Sequence, residues 1–149
     1  MTAAPHKIDI QIASRISGIP AERAFKKWLR AALPVTAQLT LRVVNAAEGR
    51  NLNSVFRGKD YATNVLTFIY HEKKSPLLMG DIVLCAPVVA REAREQNKTL
   101  EAHYAHLTIL GALHLSGLDH EVELAARAME KKEISILAAL GFADPYANP

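Results

Sequence analysis

The stretch "GDIVLCAPVVAREAREQN", residues 80–97, changes its periodicity half-way. "GDIVLCA" is a β-rich run, whereas "PVVAREAREQN" reads as a helix. Pro87 is acceptable in its first turn, where a backbone N–H has no helical partner. Just upstream, "TNVLTFIY" (63–70) is a second β-rich run, separated from the first by about ten polar or irregular residues. The two read most simply as neighbouring antiparallel strands.

Reading outward towards the N-terminus, "KIDIQIA" alternates apolar and polar residues and predicts a strand over Lys7 to Ala13. "IPAERAFKKWLRAAL" predicts an amphipathic helix with Pro20 in its first turn, Phe25, Trp28 and Leu29 on one stripe, and an end near Pro34. "QLTLRVV" alternates again as a strand, and "AAEGRNLNSVFRG" gives a short helix ending near Gly58. Towards the C-terminus, Thr99 can cap a helix running through "LEAHYAHLTILGALHL" towards Gly117. The last helix, "EVELAARAMEKKEISILAAL", ends at Gly141, a residue type favoured just past a helix end. The order β-α-β-α-β-β-α-α-α predicts a single α+β domain over residues 1–149, with one mixed four-stranded sheet packed with about five helices.

Composition narrows the function classes. A chain of 149 residues, half of them hydrophobic and 22% charged, fits one soluble globular domain. No apolar run approaches the roughly 20 residues needed to cross a bilayer, and the first residues lack the pattern of a secretory signal. The single cysteine, Cys85, excludes an internal disulfide and suits a reducing cytoplasm, the expected location. Its apolar surroundings point to a buried structural thiol. A net charge of +3, with a sequence pI near 9.1, is compatible with an RNA partner without requiring one.

Residues 110–120, "LGALHLSGLDH", carry the chemistry. His114 and His120 flank Gly117, which can take a positive φ, end the helix and turn the chain so that His120 approaches His114 from outside it. Two imidazoles on one helix face plus a third after a glycine turn is a geometry that holds Zn²⁺ with an open position for water. The position one turn before His114 is Leu110, so only two of three ligands are present. Packed, hydrogen-bonded histidines are the alternative reading of the same residues.

"LGALHLSGLDH" resembles the H-G-x-L-H-L-x-G-x-D-H signature of the YbeY family, bacterial metal-dependent endoribonucleases of rRNA maturation. "FRGKDYATNVLTF" is similar to the family's Arg-x-Lys-Asp segment and following strand. "GDIVLCAPVVAREA" resembles its Gly-Asp-Ile strand and helix, and "HYAHLTILGALHL" its metal helix, with His106 just upstream. The likeness covers nearly the whole chain. It implies that His114 and His120 are metal ligands and that Arg57 is the functional arginine beside the metal, where a guanidinium can hold a phosphate. Lys59 and Asp60 would fix that loop or touch RNA, and Thr63 and Asn64 would cap or pair the strand. Two positions depart from the pattern: Leu110 replaces the first histidine and Leu118 replaces an aromatic.

The resemblance implies metal-assisted hydrolysis of RNA phosphodiesters, with rRNA and the small ribosomal subunit or its proteins as partners. One zinc ion would be weakly held and activity impaired, because Leu110 gives no lone pair. The alternative is an RNA- or ribosome-binding protein with the same fold and little catalysis. A zinc protease fits poorly, since Gly111 stands where metzincins carry a general-base glutamate.

Overall fold

The computed structural model describes residues 6–72, 75–117 and 123–147. Its four strands are β1 (Lys7–Ile12), β2 (Ala37–Val44), β3 (Val65–Ile69) and β4 (Leu78–Cys85). Its five helices are α1 (Glu22–Ala32), α2 (Ala46–Arg57), α3 (Ala86–Glu95), α4 (Leu100–Leu115) and α5 (Glu123–Ala139). The strands form one sheet in the order β1-β2-β4-β3, with β1, β2 and β4 parallel and β3 antiparallel on the edge. The predicted mixed sheet and the antiparallel β3–β4 pair are both present. β4 starts two residues before the expected "GDIVLCA", because Leu78 already pairs with Ala37.

Strand alternation sorts the side chains onto two faces. Leu39, Leu41 and Val43 of β2 and Ile82 and Leu84 of β4 face the main core, which α1, α4 and α5 complete. Phe25, Trp28 and Leu29 of α1 are buried there, as their stripe predicts. Edge-to-face ring contacts tie Phe25 to Tyr104 at 5.8 Å and Trp28 to Phe142 at 5.9 Å. α4 is buried nearly all round, touching α1, α3, α5, β3 and β4.

The opposite sheet face is covered only in part. Val44, Val83, Cys85 and Leu66 form a smaller cluster beneath Leu52 of α2. Cys85 is the buried thiol expected, and burial pushes its pKa up. Beyond this cluster the sheet face is open.

Most helix ends follow local chemistry. Thr99 Oγ1 accepts from Ala102 N–H at 3.1 Å, capping α4 as predicted. Gly58, Gly117 and Gly141 all have positive φ just beyond helix ends. The start of α1 differs from expectation. Pro20 precedes the helix, because Ala21 is still extended (ψ 154°) and its carbonyl accepts the first helical bond, from Ala24 N–H at 3.0 Å. The proline ring fixes its own φ but does not impose helical ψ on the residue after it.

Candidate metal and RNA site

The site is built by two helices that run back along opposite faces of the sheet. α2 follows β2 directly and returns across the partly open face until Phe56 meets Phe68 of β3, with ring centroids 5.1 Å apart. α4 runs along the core face from Gly111, which lies against Ile82, to Leu115, which lies against Gly80. Both helices therefore end over the same end of the sheet, where Phe68 and Ile69 of β3 pair with Asp81 and Gly80 of β4 and Tyr70, just past β3, bonds to Met79. Arg57 follows Phe56 at the end of α2, and His114 precedes Leu115 at the end of α4. The fold thus brings the two candidate residues to one edge of the sheet from opposite faces.

The loop after α2 holds Arg57 in an open position. Asp60 receives two bonds from Arg50, at 2.8 and 3.0 Å, which lower the Asp60 pKa. Asp60 therefore fixes the loop, and its partner is Arg50 rather than Arg57. Asn53, fully buried, donates Nδ2–H to the Tyr61 carbonyl at 2.7 Å. Gly58 then turns the chain with φ +69°. Among the described residues Arg57 makes no side-chain hydrogen bond or ion pair, so its guanidinium is available to an incoming anion.

At the end of α4, His114 is half-buried, and Leu110 is half-buried and packed against the main core. One helical turn separates them, so both lie on the same stripe of α4. Gly117 has φ +98° and donates its N–H to the His114 carbonyl at 2.9 Å, ending the helix. The helix stop expected at this glycine is present. His120, the other proposed ligand, lies outside the described residues, as do Leu118 and Asp119. Among the described residues no cluster of three potential metal-binding side chains occurs. A Cβ on Gly111 would sit 2.9 Å from Ile82 Cγ2, so this position points into the sheet. A protease-type glutamate there would clash with the core instead of reaching the histidine stripe.

Two polar networks brace this frame. His103, 3% exposed, shares a 2.8 Å hydrogen bond with Glu92, which also accepts from Asn64 Nδ2 at 3.0 Å. Asn64 Oδ1 accepts from Val65 N–H at 2.6 Å and its carbonyl from Cys85 N–H at 3.0 Å, so it anchors the start of β3 as predicted. Burial pushes the His103 pKa down, against the pull of Glu92. In the second network His106 and Tyr146 both bond to the fully buried Glu133, each at 2.9 Å. His106 is thereby committed to α5 and the C-terminal segment. Its place on the histidine-rich helix was visible in the sequence; its carboxylate partner, 27 residues away, was not.

Comparison with known proteins assigns the family. The profile of the family described as Endoribonuclease YbeY matches residues 8–141. The chain belongs to the YbeY family. A relative from Methylobacillus flagellatus, named endoribonuclease YbeY, is 56% identical over 141 residues, covering 95% of this chain and 93% of the relative. One from Stenotrophomonas maltophilia with the same name is 54% identical over 160 residues, covering 99% of each. The solution structure of a Thermotoga maritima protein shares the fold, with TM-score 0.56 and 26% identity over 89% of this chain and 91% of that one. YbeY membership agrees with the resemblance carried by "FRGKD" and "LHLSGLDH". No helix among the described residues is long and apolar enough to cross a membrane.

Proposed function

We propose that this YbeY protein is a cytoplasmic endoribonuclease of rRNA maturation that hydrolyses RNA phosphodiesters at the edge of the sheet. The convergence of Arg57 and His114 at one end of β3 supports this reading best. Arg57 lacks a carboxylate partner among the described residues and can form charge-assisted bonds to a phosphate, steadying charge that develops there. His114, with His120 after the Gly117 turn, would hold one zinc ion. Bound zinc supplies a water of lowered pKa and polarises a phosphate oxygen. The donor set fits zinc with two imidazoles and solvent, and Leu110 leaves it one protein ligand short. Weak metal binding and reduced activity follow.

A second reading, an RNA- or ribosome-binding protein of the same fold with little cleavage, is favoured by Leu110 packing on the core. One experiment separates the two. Purified protein is assayed for zinc content and for cleavage of a structured rRNA fragment, beside Arg57→Ala, His114→Ala and the distant surface variant Lys131→Ala. The enzyme reading requires zinc-dependent cleavage that only the first two variants lose. RNA binding without cleavage at saturating zinc would support the second reading, with the small ribosomal subunit as the partner to test.

A further inference from the structure

On the sheet face that α2 leaves open lies a groove of about 390 Å³ between α2 and the four strands, lined at the helix end by Phe56, the residue before Arg57. Two large aromatic side chains stand at its rim, Phe56 at 64% and Tyr70 at 63% exposed. Neither is loose. Phe56 packs edge-on against Phe68. Tyr70 is tied at both ends, its N–H donating to the Met79 carbonyl at 2.8 Å and its hydroxyl to Asp81 Oδ2 at 2.8 Å. The floor is polar. Thr40 and Asp81 are register partners on β2 and β4, and Asp81 Oδ1 accepts no bond from any described residue. Arg42 and Glu48, both on the wall, form an ion pair at 2.6 Å, so their charges largely offset each other.

Thr40, Tyr70 and Asp81 also line a second cavity, of about 600 Å³, which carries the groove on past Asp9, the register partner of Thr40, to Lys7, Lys26 and Arg30. These three cations have no carboxylate partner among the described residues. One trough therefore runs from the end of α2, where Phe56 precedes Arg57 in the chain, past Tyr70 and a hydrogen-bonding floor, to an end where three cations outnumber the one carboxylate, Asp9. A phosphate suits its cationic end, and at the other end Arg57 stands one residue beyond Phe56. Its centre, with an acidic floor, repels phosphate and suits a flat group with N–H donors.

We propose that this groove seats one nucleobase of the RNA strand beside the scissile phosphate, stacked on Tyr70 and Phe56 with its amino group donating to Asp81. The inference rests on the RNA-cleaving reading of Arg57 and deepens it. Aromatic rings held with an open face bind bases of any sequence by stacking. A carboxylate adds preference, since cytosine N4 offers it a donor where uracil offers an acceptor oxygen. Cytosine is thus favoured over uracil at this one position, immediately beside the cleaved bond.

The test measures anisotropy of labelled single-stranded oligomers, with chelator present so that no cleavage occurs. Oligo-C, oligo-U and an abasic oligomer of equal length are compared on the unmodified protein, Tyr70→Ala, Tyr70→Phe and Asp81→Asn. The expected result is oligo-C above oligo-U and both above the abasic strand, with Tyr70→Ala weakening oligo-C roughly tenfold or more. Tyr70→Phe should retain stacking and so bind oligo-C nearly as well, and Asp81→Asn should erase the preference for C over U. Because Tyr70 is largely exposed, its variants should fold; circular dichroism checks this, and the Phe variant serves if Ala does not. Equal binding of all three oligomers, or oligo-C binding unchanged in Tyr70→Ala, overturns the proposal. A protein that shows the base preference yet never cleaves RNA with zinc overturns the enzyme reading and leaves the base groove standing.

Discussion

Replacing Gly80 with alanine tests how the frame beneath the site is held. A Cβ at this position would lie 2.2 Å from the Phe68 carbonyl oxygen and 2.5 Å from Leu115 Cδ1. The first neighbour is backbone and the second a fully buried side chain, so neither can turn aside. The methyl group fits only if β3 moves outwards or the end of α4 lifts. Either movement strains the β3–β4 ladder, including the bond from Tyr70 N–H to the Met79 carbonyl. Overpacking together with a weakened ladder bond costs about 2–4 kcal/mol. For a chain of this length that corresponds to a fall in Tm of roughly 6–16 °C, read by calorimetry or circular dichroism. Gly58→Ala is the comparison. Its φ of +69° strains a side chain, but no described atom lies within 4 Å of the added carbon. It should therefore cost only about 1 kcal/mol. RNA cleavage by folded Gly80→Ala protein should also drop, since β3 lies between Arg57 and His114. A Tm within about 1 °C of the unmodified protein would falsify the tight β3–β4–α4 junction.

Leu110→His should raise zinc affinity at least about tenfold in competition with a chelator and raise cleavage with it; unchanged affinity would show that position 110 does not face the ion. Gly117→Ala puts a Cβ on a residue with φ +98°, so stability should fall by about 1–2 kcal/mol and zinc affinity with it, whereas an unchanged melt would show that the turn relaxes freely. His103 has its pKa held below the ordinary 6.5 by burial, so the unfolded chain takes up its proton first as pH falls. Its contribution is intact above pH 6.5 and is lost as pH drops from there to the folded-state pKa, with a slope of up to about 1.4 kcal/mol per pH unit. Melts between neutral and mildly acidic pH should show this slope, and His103→Gln should flatten it; identical slopes would exclude His103 as the source.

Short-range rules were enough for much of the chain. Alternation in "KIDIQIA" and "QLTLRVV" selects the core face of each strand, because neighbouring residues in a strand must point to opposite sides. Thr99, Gly58, Gly117 and Gly141 mark helix ends because a hydroxyl cap or a positive φ is decided within a few residues. Pro20 shows the limit of such rules, since a favourable residue near a helix start does not fix which turn is first. The candidates His114, His120 and Arg57 are each named from a short motif, and their role awaits the variants described above. What the sequence alone did not determine is which distant residues meet. Strand order β1-β2-β4-β3, the arrival of α2 and α4 at one sheet end, and the pairings His103–Glu92 and His106–Glu133 join residues of different elements. Tertiary packing decides these, because a buried imidazole or carboxylate must find a partner wherever the fold places one. The open groove beside Phe56 has the same origin: α2 covers only part of its sheet face, and no local pattern records where a helix stops covering a sheet.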